Sequence, residues 1–138
     1  MSDVSITATN VVAGGNAEVV DGTAGATISA GQVVYLDPET GTLKLADCDS
    51  ATAAARSPLG VALNGAAAGQ PVRVQKRGNI TIGGTVTAGV AYYLSATAGG
   101  ICPVGDLGGG DYPVFLGFAT SASVLRLNIV ESGVALAE

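Results

Sequence analysis

The chain has 138 residues, of which 12% are charged and 4% aromatic, and it contains no histidine or tryptophan. The length suits one domain spanning residues 1–138, and the charged fraction is well below the ~25% of average globular domains. Because histidine is absent and the net charge is −5, we expect no enzyme, no cofactor, no metal site and no nucleic-acid partner.

Apolar and polar residues alternate over most of the chain, which is the pattern of half-buried strands. Segment 49–56, with Ser50 as its N-cap, is the one candidate helix. Many short strands separated by glycine-rich turns, such as Gly78-Asn79 and Gly108-Gly109-Gly110, predict an all-β sandwich or barrel. In chain order the predicted strands are 4–9, 17–20, 32–36, 42–46, 59–63, 72–75, 79–82, 90–95, 114–119 and 125–129.

An internal repeat divides this pattern in two. Residues 27–36 (TISAGQVVYL) align with 85–94 (TVTAGVAYYL), and 59–62 (LGVA) align with 116–119 (LGFA). Two fused β units of about 55 residues, 27–82 and 85–131, are therefore predicted, each too small to bury its own apolar face.

The glycines and tyrosines of the repeat have structural explanations. Gly31 and Gly89 enter a strand from a turn, which predicts a positive φ. Gly60 and Gly117 lie inside predicted strands, which indicates a bulge or a close backbone approach. Tyr35 and Tyr93 are expected at the rim of the core; the predicted core consists of Val34, Leu36, Val61, Leu63, Val72, Val74, Leu94, Leu116, Phe118, Leu125, Leu127 and Ile129.

The chain termini are interpreted as interaction arms, at residues 1–14 and 133–138. We expect them to become ordered by adding to the sheet of a neighbouring molecule, because Val4, Ile6 and Val11 would have no apolar partner in a monomer. Ordinary frayed ends are the alternative. The candidate interface residues of the two arms are Val4, Ile6, Val11, Val12, Val134 and Leu136.

The sequence motifs that could form a metal-binding, phosphate-binding or catalytic site are all incomplete. Asp47-Cys48-Asp49 begins like a calcium loop, but Thr52 and Pro58 occupy the positions of its glycine and glutamate. Gly108-Gly109-Gly110 lacks the Lys-Ser/Thr of a phosphate loop, and serine nucleophiles would have only lysines as bases.

The sequence also predicts the cellular compartment and the state of the two cysteines. No stretch approaches the ~18 apolar residues of a spanning helix, and the first ten residues lack a basic signal region, so no membrane partner is expected and assembly is expected in the cytoplasm. Cys48 and Cys102 could pair, but a reducing compartment favours two free, structural thiols.

Three stretches of the chain, 31–37 (GQVVYLD), 60–74 (GVALNGAAAGQPVRV) and 125–128 (LRLN), resemble the small capsid decoration, or cement, proteins of tailed bacteriophages. The resemblance covers most of residues 20–132. It implies a jelly-roll-like all-β fold without an active site, on the outer surface of the capsid. It also implies two partners, the major capsid protein and the chain itself, with a homodimer favoured and a trimer as the alternative.

A second hypothesis is a host-recognition module, namely a β domain of a tail fibre or a glycan-binding sandwich. Its mark would be clustered exposed aromatic side chains beside Asp or Asn. The chain has four tyrosines and two phenylalanines, and Tyr92, Tyr93, Phe115 and Phe118 lie in predicted strands. We therefore expect a structural protein that stabilises a capsid by bridging its subunits.

Overall fold

The computed structural model describes residues 4–48, 52–95, 97–103, 111–131 and 134. The regular structure of these residues consists of β-strands and two short 3-10 turns, at Ala8–Asn10 and Ala53–Arg56. The predicted all-β class is therefore confirmed. Among the described residues, no helix has the length and apolar character needed to cross a membrane.

Ten strands are described. Their bounds are β1 Val11–Ala13, β2 Glu18–Thr23, β3 Val33–Leu36, β4 Leu43–Leu45, β5 Gly60–Ala62, β6 Pro71–Ile82, β7 Ala91–Leu94, β8 Ile101–Pro103, β9 Val114–Ala119 and β10 Val124–Glu131. Most lie within two residues of a predicted strand, because alternation marks a strand surface that is buried on one side.

Three predictions of local structure differ from the structure, and one strand has no predicted counterpart. Residues 4–9 form no strand, and β1 begins at Val11 instead. The Gly78-Asn79 turn is absent, since β6 continues through Gly78 at a φ of 94°. β8 was not predicted, because three residues are too few to show a period. Only Ala53–Arg56 of the candidate helix is regular, as a 3-10 turn, and residues 49–51 lie outside the described ranges.

The antiparallel sheet forks at β6, its longest strand. Arg77 of β6 pairs with Glu18 of β2 and with Asn128 of β10, so β2 and β10 occupy opposite edges of β6. At Gln75 of β6, the partner on the first edge is still β2, through Val19, and the partner on the second edge is β5, through Val61. β5 and β10 therefore share one edge of β6, and the sheet divides there into two wings.

The first wing is β4-β3-β5 and the second wing is β10-β9-β7-β8. Backbone hydrogen bonds join the wings at their far ends. The Val33 amide donates to the Gly99 carbonyl over 3.0 Å, and the Gly99 amide donates to the Ala46 carbonyl over 2.7 Å. The sheet is thus curled into a half-barrel, which agrees with the predicted sandwich or barrel.

The larger core cluster lies between the wings, and the first wing also has a smaller cluster on its other face. Val33, Tyr35 and Val61 belong to the larger cluster, whereas Val34 and Ala62 belong to the smaller one. The first wing is therefore buried on both faces. The burial of eight predicted core residues is confirmed, and these are Val34, Val61, Val72, Val74, Leu94, Leu116, Leu125 and Leu127.

The other four predicted core residues are not fully buried. Leu63 and Ile129 are partly buried against the larger cluster. Leu36 and Phe118 are 52% and 54% exposed, so their prediction as core residues is wrong. Leu36 is the last residue of β3 before the hairpin turn, where a strand end leaves the cover of its neighbours. Phe118 is exposed because of a bulge in β9.

The two wings share local geometry at aligned positions. Gly31 and Gly89 have φ of 90° and 84°, which confirms the positive φ predicted for them. Their amides donate to the carbonyls of the aligned residues Ala62 and Ala119, both over 2.8 Å. The strand order β4-β3-β5 in the first wing also corresponds to β8-β7-β9 in the second. That the wings arose as fused repeats stays a prediction.

Candidate functional site

A bulge in β9 turns aromatic side chains to the outer face of the second wing. Tyr92 pairs with Gly117 and Tyr93 with Phe115, so Leu116 is an extra residue between two consecutive pairs. Leu116 is fully buried, and Gly117 has no side chain to compete with it for the inner face. Phe115 and Phe118 are therefore both directed outward. The bulge or close approach predicted at Gly117 is confirmed.

Three outward rings form a row across β7 and β9. The ring centroids of Tyr93 and Phe115 are 5.8 Å apart, and those of Phe115 and Phe118 are 5.1 Å apart, both pairs in edge-to-face geometry. Val130, which is 55% exposed, is the partner of Phe115 on β10. We call Tyr93, Phe115, Phe118 and Val130 the aromatic patch. Edge-to-face packing stabilises such a row even at a surface.

A groove of about 570 Å³ lies beside the aromatic patch. Its lining includes Gly78, where β6 has a positive φ of 94°, together with aromatic and polar residues. Two cross-strand pairs place these groups on one face, Arg126 with Phe118 and Asn128 with Arg77. The groove is lined by Asn16, Glu18, Arg77, Gly78, Phe115, Phe118, Arg126, Leu127 and Asn128.

The groove is locally positive although the chain carries a net charge of −5. Arg77 Nε lies 3.8 Å from Glu18 Oε2, which is a loose, exposed ion pair. Arg126 is exposed and has no ion pair with a residue in the described ranges. Two guanidinium groups therefore face one carboxylate, and the charge of Arg126 is available to a partner.

A buried side-chain amide bridges the backbone on either side of Gly78. Gln75 is fully buried, and its Nε2 donates to the carbonyls of Arg77 and Asn79 over 3.1 and 2.9 Å. The side chain thus spans Gly78, whose Cβ position would overlap the Asn16 backbone. Asn16 Oδ1 in turn accepts a hydrogen bond from the Asn79 amide over 2.8 Å. These contacts fix the polar side of the groove.

The N-terminal arm is packed on its own chain. The Val4 amide donates to the Ile101 carbonyl over 2.8 Å, and Val4 and Ile6 pack against the larger core cluster. Val11 is buried in that cluster and pairs with Ile82 in β1. The expectation that these three residues lack an apolar partner in a monomer is therefore wrong.

The physical reason is that glycines leave room for the arm. A Cβ on Gly31 would collide with Ile6, and one on Gly84 would collide with the Ser5 backbone. Among the other candidate interface residues, Val12 is 58% and Val134 is 67% exposed. Leu136 lies outside the described residues. An interface formed by the arms stays a prediction.

Other candidate chemistry is not assembled in the described part of the chain. No cluster of three or more His, Cys, Asp or Glu residues that could hold a metal is found there. Lys44, one of the two lysines in the sequence that could serve as a base, pairs with Asp37 at 2.8 Å. Cys48 and Cys102 are buried and are not joined by a disulfide bond, as expected. Gly108-Gly109-Gly110 lies outside the described residues.

Comparison with known proteins adds no relative. No family model matches the chain, and no curated protein is significantly similar to it.

The sequence pattern does not predict the groove, because alternation assigns Phe118 to the core. The polar lining residues Asn16, Glu18, Arg77 and Asn128 carry no motif. The signal that could have found it is the in-strand Gly117, since a bulge there inverts which residues face outward.

Proposed function

We propose that the protein is a structural component of a bacteriophage virion that decorates and stabilises the exterior of the capsid by bridging major capsid proteins. The observation that carries this proposal is the aromatic patch beside the groove, whose lining includes Arg77 and Arg126. An exposed apolar patch rimmed by polar groups is typical of a protein-binding surface, and aromatic and arginine side chains dominate the energy of such interfaces.

The sequence supports the same function. Three stretches resemble capsid decoration proteins, and the low content of charged side chains reduces the conformational entropy lost when a surface is covered. Negative charge favours the outside of the shell over the side that faces packaged DNA. We place the protein on the outer capsid surface after assembly in the host cytoplasm, as a homodimer or a trimer.

The stabilisation would arise by mass action. A protein that binds only the closed lattice stabilises it by about 2.7 kcal/mol per site when free protein is at a hundredfold excess over Kd. Many identical sites multiply that effect. Heads without the protein should therefore assemble but release DNA sooner on heating or chelation.

The test is co-sedimentation of purified protein with expanded, DNA-free heads of the phage that encodes it. Saturable binding to these heads supports the proposal when, in a separate assay, DNA-filled heads that carry the protein release DNA at a higher temperature than DNA-filled heads that lack it. Failure to bind heads at any protein concentration contradicts it. Heads that were assembled without the protein and release DNA at the same temperature as decorated heads also contradict it.

The aromatic patch favours one other function, recognition of a host glycan by a tail-fibre domain. Phe115 and Phe118 share the groove with Asn16 and Asn128, which is the combination of aromatic and amide groups expected for sugar binding. A glycan array and immunogold labelling of virions separate the two functions. Binding to glycans with label at the tail tip would establish the alternative, and label over the head would exclude it.

A further inference from the structure

The outer face of the second wing corresponds to a covered face of the first wing. The repeat aligns Ala91 with Val33, Tyr93 with Tyr35 and Phe118 with Val61. In the first wing all three residues are buried between the wings, with exposures of 0%, 8% and 0%. In the second wing the aligned positions face outward, and Phe118 is 54% exposed.

This correspondence indicates that the open face has the form of a packing surface. In the first wing, the apolar side chains at these positions are covered by the inner face of the second wing. No described element covers the aromatic patch. Its rings are also held in a fixed edge-to-face row, so a partner would lose little side-chain entropy on binding there.

We propose that the groove and the aromatic patch dock an extended, acidic segment of a partner protein, with an apolar side chain on Phe118 and a carboxylate on Arg126. The identity of the partner as the major capsid protein rests on the proposed function. The chemistry of the segment rests on the groove itself.

The charges select this partner chemistry. The guanidinium of Arg126, which has no ion pair with a described residue, is adjacent to Phe118 across the β9–β10 ladder. A guanidinium can bind a carboxylate through two parallel hydrogen bonds. A basic segment would meet both Arg126 and Arg77. A neutral segment would cover Arg126 without replacing its hydrogen bonds to water, which costs binding free energy.

The first experiment measures binding of full-length variants to expanded, DNA-free heads. Phe118→Ser and Arg126→Glu should each weaken binding by at least about tenfold. Leu36→Ser is a matched control, because Leu36 is equally exposed but lies on the first wing. Arg73→Glu is the charge-reversal control, since residues 72–74 (VRV) align with 125–127 (LRL) and Arg73 is exposed, as is its ion pair with Asp21 at 3.2 Å.

Both controls should bind within about twofold of the unchanged protein. Thermal unfolding followed by circular dichroism checks that each variant is folded. If the four variants bind heads equally well, the proposed docking surface is wrong while the proposed function stands.

The second experiment does not depend on heads. The ¹⁵N-labelled protein is titrated with the blocked peptide acetyl-Leu-Glu-Leu-Glu-amide at millimolar concentration, and its amide shifts are recorded by NMR. Shifts should be confined to residues 115–118 and 126–128 and their nearest strand neighbours. The matched peptide acetyl-Leu-Gln-Leu-Gln-amide should bind at least about twofold more weakly, because it lacks the charge that pairs with Arg126.

Each outcome of this titration decides the inference. Groove shifts that Arg126→Glu abolishes support it, even if the protein fails to bind heads and the proposed function falls. It is overturned by an absence of groove shifts, or by equal binding of both peptides. It is also overturned if sedimentation velocity shows self-association that Phe118→Ser abolishes, since the surface would then bind a second copy.

Discussion

Gly117 lies against the backbone of Arg126 so closely that a Cβ on the glycine would overlap the Arg126 carbonyl oxygen. Gly60, which the repeat aligns with Gly117, has the same relationship to the Gln75 carbonyl oxygen. In each wing, therefore, a glycine inside a strand allows the next strand along the chain to approach. In the second wing the same glycine accompanies the bulge that exposes the aromatic patch.

Replacement of Gly117 by alanine should be strongly destabilising. The added methyl group would displace β10 from β9, and forced backbone movement in a packed core costs about 1–3 kcal/mol or more. Gly15→Ala is the control, because no atom lies within 4 Å of its Cβ position. Urea unfolding of both variants measures the free energies, and equal values would contradict the close approach.

Truncation of Leu127 tests the inner face of β10. Leu127 is 2% exposed in the larger cluster, and Leu127→Ala should lower the free energy of unfolding by about 2–5 kcal/mol through loss of contacts and a residual cavity. Leu36→Ala should cost less than about 1 kcal/mol, because half of that side chain is already exposed. A loss below about 1 kcal/mol for Leu127→Ala would show that the Leu127 side chain does not face the core.

The β3–β4 hairpin should show a pH-dependent contribution to stability. Lys44 Nζ lies 2.8 Å from Asp37 Oδ2, and the Glu39 amide donates to Asp37 Oδ1 over 2.9 Å. The hydrogen bond from Lys44, followed by that from Glu39, lowers the pKa of Asp37 below its ordinary 3.8. The charged form is thus favoured in the folded state.

A lowered pKa means that this stabilisation is complete above pH 3.8 and is lost as the pH falls through the folded-state pKa. The melting temperature of Asp37→Asn should therefore lie below that of the unchanged protein at neutral pH, and the difference should close in acid. NMR titration of the Asp37 carboxyl carbon measures the pKa directly. A pKa at or above 3.8 would contradict the hairpin geometry.

The two thiols should react slowly in the folded protein. Cys48 and Cys102 are 0% and 2% exposed, so a thiol reagent can reach them only through opening of the structure. Labelling followed by mass spectrometry should show little modification under native conditions and complete modification in denaturant. Fast labelling of either thiol in the native protein would show that the segment carrying it opens locally, which is a turn for Cys48 and β8 for Cys102.

Alternation in the sequence was sufficient to predict the all-β class and most strands. Leu125 and Leu127 show why this succeeds, since one parity of β10 faces the core and the other faces water. Gly31 and Gly89 were also predictable, because a turn with positive φ selects glycine whatever surrounds it.

The outward aromatic patch could not be predicted by the same rule. Parity assigns Leu116 and Phe118 to one face, but the bulge at Leu116 and Gly117 places them on opposite faces. The position of an extra residue depends on the register with β7 and β10, which is set by contacts distant in sequence. The packed N-terminal arm was missed for a related reason, since the space above Gly31 and Gly84 exists only in the folded sheet.

The shared edge of β6 also determines how the molecule must unfold. Because β5 and β10 pair with neighbouring stretches of the same strand, neither wing has a complete sheet without β6. Unfolding should therefore be a single cooperative transition, with no half of the chain stable alone. Since β6 joins partners from both ends of the chain, its ladders close long loops, and folding should be slow for a domain of this size.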